Sequence, residues 1–169
     1  MVFCINKEKI VKVILWFLVL AWMVVIFCFS AQPAEVSDKT SKEVTKKIVK
    51  TTIEITHMDK NKDLDVDALV KKLDSFVRKA AHAYVFLVLG ILVFLLTKIF
   101  RVSTFKTFLI SFFCCVLYAC SDETHQLFVH GRACRFSDIL IDSTGALLGI
   151  GIASVCCYAV KKIKLRLKK

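Results

Sequence analysis

The chain has 169 residues, of which 57% are hydrophobic and one is proline, and it carries a formal net charge of +11. Because the apolar residues form long blocks, this composition excludes an ordinary soluble globular domain. A strongly basic chain can bind nucleic acid, but here the basic residues lie at the ends of apolar blocks and in a short tail. We therefore expect membrane lipids, and no nucleic acid, as partners.

Four apolar blocks predict four membrane-spanning helices. The predicted spans are residues 12–30, 80–97, 105–125 and 138–160, with an outer amphipathic segment at 34–78 and a basic tail at 161–169. About 20 helical residues cross a hydrocarbon core of about 30 Å, so the third span must continue through Asp122 and His125. The predicted fold class is an all-α integral membrane protein. It is one domain, residues 1–169, a four-transmembrane-helix bundle with an extracellular helical insertion between the first two spans.

The distribution of positive charge predicts the orientation of the helices, because short loops rich in Lys and Arg stay in the cytoplasm. Twelve such residues lie at the amino terminus, between the second and third spans, and in the tail: Lys7, Lys9, Lys12, Lys98, Arg101, Lys106, Lys161, Lys162, Lys164, Arg166, Lys168 and Lys169. The loop between the third and fourth spans has only Arg132 and Arg135. We predict a multi-pass protein of the cell membrane with both termini in the cytoplasm and this loop outside.

The first span has a rival interpretation as a cleaved signal peptide. Its apolar run, residues 13–29, is longer than the usual run of about 7 to 15 residues. Cleavage after Ala31 would also place the bulky Phe29 where a small side chain is required. We therefore expect the segment to be retained as a helix.

The segment between the first two spans predicts two amphipathic helices that lie on the outer leaflet or cap the bundle, the second running directly into the second span. Their apolar positions are Thr40, Val44, Ile48, Thr52 and Ile55, then Val66, Leu69, Val70, Leu73, Phe76 and Val77. Acidic residues at 59–67 alternate as in a calcium loop, but Leu64 replaces the required Gly and Val70 the terminal Glu. We interpret this stretch as a solvated turn.

The eight cysteines show no C-x-x-C pair, so zinc is not predicted, and no metal or cofactor is expected. Adjacent pairs at 114–115 and 156–157 lie inside apolar blocks, where a free Cys packs as a small hydrophobe. Cys134 lies in the predicted outer loop, within possible reach of Cys120 or Cys28. The sequence leaves open whether Cys134 forms a disulfide.

Residues 121–149, SDETHQLFVHGRACRFSDILIDSTGALLG, contain every acidic residue after Asp74. An ionised group at the centre of a membrane helix costs about 2.5–3.5 kcal/mol, so these groups need partners or a task. Helical spacing places Tyr118, Asp122 and His125 on one face of the third span. In the same way it aligns Asp138, Asp142, Gly145 and Gly149 on the fourth, and Lys79, His82, Phe86 and Gly90 on the second.

If these three faces meet, they form one polar site. The candidate catalytic residues are Asp122, Glu123, His125, Asp138 and Asp142, and the candidate ligand-binding residues are Lys79, His82, Gln126 and Arg132. The alternative is that acids and bases only neutralise one another and fix the helix packing. Interhelical polar contacts often contribute under about 1 kcal/mol each, so this many ionisable groups favours a ligand site.

Several motifs together resemble the VanZ-like family of bacterial membrane proteins over nearly the whole chain apart from the outer segment. They are FSAQP after the first span, K-x-x-H at Lys79 and His82, SDE-x-HQ-x-F followed by Gly131 and Arg132, and then Asp138, Asp142, Gly145 and Gly149. The resemblance implies a small multi-helix membrane protein associated with resistance to teicoplanin and related lipoglycopeptides. The chain departs from the family where Val85 and Phe86 replace a frequent acid and Tyr, where His130 replaces a common Pro, and where Arg135 adds a cation.

Two function classes remain open. A binding or shielding protein would hold a cell-wall lipid intermediate or a lipoglycopeptide, with Arg132 and Lys79 on a phosphate or carboxylate. An intramembrane hydrolase or transferase would act on a lipid-linked head group, with Glu123 or His125 as base and Asp138 or Asp142 orienting it or holding a divalent metal. No established nucleophile or zinc motif supports the enzyme, and the polar groups lie at one end rather than at the midplane expected of a transporter. The sequence does not specify the oligomeric state.

Overall fold

The computed structural model describes residues 7–56 and 66–167, and in this part the chain is all-α. The helices are α1 (Lys7–Ser30), α2 (Ala34–Thr56), α3 (Val66–Lys98), α4 (Thr104–Gln126) and α5 (Phe136–Arg166). Four of them, α1, α3, α4 and α5, are long and apolar enough to span a membrane. The predicted all-α class with four membrane-spanning helices is confirmed, and the chain is a multi-pass membrane protein. Most of the calcium-like stretch, residues 59–65, and Lys168 and Lys169 lie outside the described residues.

The contact between α3 and α5 is the closest in the bundle, and glycines make it possible. A Cβ added to Gly145 would lie within 3.0 Å of the Ala83 backbone, and one added to Gly149 would meet the Leu87 backbone in the same way. Such small residues let helix backbones approach closely where lipid offers no hydrophobic driving force. The predicted glycine face of α5 therefore does pack directly on α3.

The helix α1 joins the bundle through two hydrogen bonds to backbone carbonyls. Trp22 Nε1 donates to the Val85 oxygen in α3 at 2.8 Å, and the Tyr118 hydroxyl in α4 donates to the Met23 oxygen at 2.6 Å. Most of the other α1 side chains face outward, as expected of a helix that contacts lipid on most sides. The core itself is centred on Phe86 and Leu89, both fully buried.

The helix α2 runs antiparallel to the first part of α3. Its Asp38 forms an ion pair with Arg78 at 2.6 Å, and its Ser41 donates a hydrogen bond to Asp74. The 33 residues of α3 extend about 50 Å, longer than a hydrocarbon core of about 30 Å, so its first turns and α2 project past the spanning region. As predicted, the second amphipathic segment is continuous with the following span.

The face of α2 that packs on α3 is not the apolar face that the sequence predicted. Thr45 and Val49 are buried, whereas Val44, Ile48 and Ile55 are exposed. The ionic and hydroxyl contacts of Asp38 and Ser41 set the rotation of the helix and turn the more apolar stripe outward.

Two smaller features complete the fold. The helix α5 continues through the basic residues to Arg166, so most of the predicted tail extends a helix. In the described part of the chain the cysteines are free, and no disulfide joins Cys134 to Cys120 or Cys28.

Candidate functional site: a polar cleft between α3, α4 and α5

A cleft of about 320 Å³ opens where the first half of α3, the end of α4 and the beginning of α5 meet under the α4–α5 loop. Its charged and polar lining residues are Ser75, Arg78, Lys79, His82, Gln126, Arg132, Arg135, Asp138 and Asp142. The cleft therefore collects all four predicted ligand-binding residues and two of the five predicted catalytic candidates.

Asp142 lies in the wall of this cleft and has no hydrogen-bond partner. Its side chain is fully buried, neither carboxylate oxygen accepts a hydrogen bond, and Nδ1 of His82 lies 3.9 Å from Oδ1. The position follows from the helix contact, since Gly145, three residues along α5, brings that helix against the α3 backbone at Ala83, next to His82. A buried acceptor without a partner costs roughly 1–3 kcal/mol, which suggests that Asp142 is kept for something the protein contacts do not provide.

A chain of hydrogen bonds runs from the buried Asp122 to the rim of the cleft. Gln126 Nε2 donates to Asp122 Oδ2 at 3.2 Å, and Arg132 Nη1 donates to Gln126 Oε1 at 3.4 Å. The Arg132 Nε donates to the Gln32 carbonyl oxygen at 3.0 Å, so the FSAQP segment holds the other side of this guanidinium. Asp122 and Gln126 can pair because residues four apart share a helix face.

Glu123 fixes the start of α5 from behind the cleft. It is almost fully buried, and its Oε2 accepts a hydrogen bond at 2.9 Å from the backbone N–H of Arg135, the residue before α5. The chain can turn back from α4 to this point because Gly131 has a positive φ of 75°, a conformation that glycine adopts without strain. Glu123 therefore positions the loop and is not in the cleft lining.

His125 packs against α1 and is not in the cleft lining. Its ring packs on Phe27 with the ring centroids 4.4 Å apart, and its Nε2 is buried without a hydrogen-bond partner. The face predicted to group Tyr118, Asp122 and His125 exists, but both ends of it contact α1: Tyr118 donates to Met23 and His125 meets Phe27. His125 therefore does not line the cleft with Asp138 and Asp142.

The cleft has three unpaired cations against two carboxylates, Asp138 and Asp142, that form no ion pair with a Lys or Arg in the described part of the chain. Lys79, Arg132 and Arg135 have no carboxylate within 4.0 Å in the part of the chain that the structure describes. Burial, and then the neighbouring Arg78, lower the pKa of Arg132 from its ordinary value, which indicates a cation in need of an anionic partner. Among residues 7–56 and 66–167, no group of three or more His, Cys, Asp or Glu is arranged to hold a metal ion.

Arg78 lines the cleft and was not predicted from the sequence. Unlike the other cations it is neutralised, by Asp38 at 2.6 Å and Asp74 at 3.1 Å. The spacing of Asp74, Arg78 and His82, four residues apart each time, was the available signal, because such residues share a helix face. The partner Asp38 could not be inferred in this way, since it lies on another helix.

Comparison with known proteins places the chain in a family. Neither a curated protein nor a solved structure shows a significant match to it. The VanZ/LLP1 family model, in contrast, matches residues 15–157, a range that contains every residue of the cleft. The chain belongs to the VanZ/LLP1 family.

Proposed function

We propose that the cleft binds an anionic group of a cell-wall lipid intermediate or of a teicoplanin-type lipoglycopeptide, and that this binding or shielding changes susceptibility to such antibiotics. The observation that carries the proposal is the set of three unpaired cations, Lys79, Arg132 and Arg135, around one cleft. Phosphate or carboxylate would offset charge that the protein leaves unbalanced.

Arg132 is the main anion-binding group in this proposal. Its Nε and Nη1 are held by Gln32 and Gln126, both through neutral oxygens, so the guanidinium is oriented without being neutralised. A guanidinium fixed in this way presents a planar fork that matches a phosphate or carboxylate, while the exposed Lys79 adds a point charge at the rim. Asp142 and His82 would meet a hydroxyl or amine of the same ligand.

For orientation, we propose that the cleft faces the outside of the cell membrane and that both termini lie in the cytoplasm. The short loop that roofs the cleft contains Arg132 and Arg135, whereas the opposite end of the bundle has the larger number of basic residues. A cleft at the outer leaflet would have access to lipid-linked wall precursors and to antibiotics that insert from outside.

The alternative, a hydrolase or transferase acting on a lipid-linked head group, has less support. It requires Glu123 or His125 to act beside Asp138 or Asp142. Glu123 instead binds a backbone N–H, and His125 packs on Phe27. Of these four residues only Asp138 and Asp142 line the cleft. A general base would therefore have to be His82 or one of these two acids.

The proposal is tested by antibiotic susceptibility together with direct binding. A teicoplanin-sensitive Gram-positive host expresses the wild-type chain, the double variant Lys79→Gln with Arg132→Gln, or the control Lys42→Gln with Lys50→Gln, which removes the same charge from the exposed side of α2. The purified proteins are titrated with teicoplanin and with a polyprenyl pyrophosphate. We expect the cleft variant to lose protection and at least tenfold in affinity, since a charge-assisted hydrogen bond contributes about 1.5–3 kcal/mol.

The control variant should keep both properties. If the wild type neither protects nor binds either probe, the proposal is wrong. If the cleft variant and the control variant lose affinity equally, the interaction is a general charge effect and the cleft is not the binding site.

A further inference from the structure

A second groove lies at the opposite end of the bundle, where α3 ends, α4 begins and α5 leaves the core. It has a volume of about 650 Å³, within the range of about 300–1,000 Å³ that is common for ligand sites. Its lining divides by chemistry. Apolar side chains, among them Phe94 and Val155, form one part, and Lys98, Lys161 and Lys162 form the other.

These three lysines have no acidic partner in the described part of the chain. Lys98 donates through Nζ to the Thr104 hydroxyl at 2.7 Å, a neutral acceptor, and none of the three forms an ion pair. The sequence contains no acidic residue after Asp142, so the second half of α5 offers no acidic side chain to pair with these lysines.

The two parts of the groove lie at different depths along the helices. Phe94 is four residues before Lys98 on α3, and Val155 is six residues before Lys161 on α5, so the apolar part lies about 6–9 Å further into the spanning region than the lysines. The lysines lie near the ends of the apolar stretches of α3 and α5, where the membrane–water interface is expected. Tyr158 lines the groove at this level, where aromatic residues with a polar end are common.

We infer that this groove binds one anionic phospholipid of the adjacent leaflet. An acyl chain would lie along Phe94 and Val155, and the phosphate would lie among Lys98, Lys161 and Lys162. A basic pocket between membrane helices matches such a head group, whereas a zwitterionic phospholipid has no net charge to offset three lysines. The site is independent of the polar cleft at the other end of the bundle.

The test uses the full chain in a neutral detergent, titrated with phosphatidylglycerol or phosphatidylcholine, with bound lipid counted by native mass spectrometry. The groove variant combines Lys98→Gln, Lys161→Gln and Lys162→Gln. The matched control combines Lys106→Gln, Lys164→Gln and Arg166→Gln, three exposed cations at the same end that do not line the groove. Each lysine near an anionic surface is expected to contribute about fivefold, so the groove variant should lose the tight phosphatidylglycerol.

Two further variants distinguish lipid binding within the groove from general attraction of lipid to a cluster of positive charge. Lys→Arg at the same three positions keeps the charge and should retain phosphatidylglycerol, and an unchanged circular dichroism spectrum of the glutamine variant shows that it folds. Ser154→Leu adds bulk to the groove lining without changing charge and should weaken binding. The inference is overturned if phosphatidylcholine binds as tightly as phosphatidylglycerol, if the matched control loses as much lipid as the groove variant, or if Ser154→Leu has no effect.

Discussion

His82 of α3 faces Asp142 of α5 across the closest helix contact in the bundle, with Nδ1 3.9 Å from Oδ1, and the carboxylate accepts no hydrogen bond. This distance is too long for a hydrogen bond, so the pair has at most a weak attraction when His82 is protonated. A fully buried carboxylate in such a position reduces stability and leaves an acceptor in the wall of a ligand-sized cleft.

Asp142→Asn tests this relationship. The amide has nearly the same shape and is less costly to bury than an unpaired carboxylate, so we expect the free energy of unfolding to stay within about 1 kcal/mol of the wild type. Binding of the cleft ligand should fall. The measurement is unfolding in mixed micelles by added SDS, combined with the binding titration. A loss of more than about 2 kcal/mol would instead show that the carboxylate has a stabilising partner.

The glycine contact between α5 and α3 is tested by Gly145→Ala. The added Cβ would meet the Ala83 backbone, which cannot move aside as a side chain can, so we expect a destabilisation of about 1–3 kcal/mol. Gly151→Ala is the control on the same helix, since a Cβ there has no heavy atom within 4 Å. It should leave stability unchanged or raise it by about 0.5–1 kcal/mol through helix propensity. Equal effects at both positions would mean that α5 does not pack on α3 through this face.

Helix positions and the small-residue face were predictable because each depends on local spacing. The continuous α3 and the small-residue face of α5 at Gly145 and Gly149 both follow from patterns within one segment. The contacts of Glu123 and His125 could not be predicted from the spacing of residues within one helix. Spacing tells which residues share a face, whereas the chain reversal at Gly131 decides that Glu123 meets the Arg135 backbone, and the docking of α1 decides that His125 meets Phe27.

The orientation of Arg132 is tested by exchanging it for lysine. Arg132→Lys keeps the charge but cannot make both bonds, to Gln32 and to Gln126, in the same geometry. We expect the affinity for the anionic ligand to fall about five- to tenfold, because a point charge does not replace an oriented fork. Arg135→Lys is the control, since that side chain is exposed and makes no hydrogen bond in the described part of the chain. Unchanged affinity in Arg132→Lys would indicate that only net charge matters, and comparable losses in both variants would mean that the orientation of Arg132 has no special role.

The tie between α4 and α1 is tested by Tyr118→Phe, which removes the hydroxyl that donates to the Met23 carbonyl at 2.6 Å. Hydrogen bonds between membrane helices average about 0.6 kcal/mol, with a maximum near 1.7, so we expect a destabilisation in that range. Tyr84→Phe is the control, because Tyr84 is exposed and its hydroxyl has no partner among the described residues. SDS-induced unfolding of both variants measures the difference, and no difference would mean that this bond does not stabilise the docking of α1.

Arg78 determines how α2 is held, through its ion pairs with Asp38 and Asp74. In Arg78→Gln both carboxylates lose their charged partner, and one of them, Asp74, is buried. We therefore expect the free energy of unfolding to fall by more than the about 0.2–1 kcal/mol that an exposed ion pair contributes. We expect the amides of α2 to exchange hydrogen faster while those of α5 remain protected. Lys46→Gln is the control, because its 3.5 Å ion pair with Asp67 joins the same two helices at an exposed position. Hydrogen exchange with peptide resolution distinguishes the two. Unchanged protection of α2 in Arg78→Gln would assign its position to the buried contacts of Thr45 and Val49 instead.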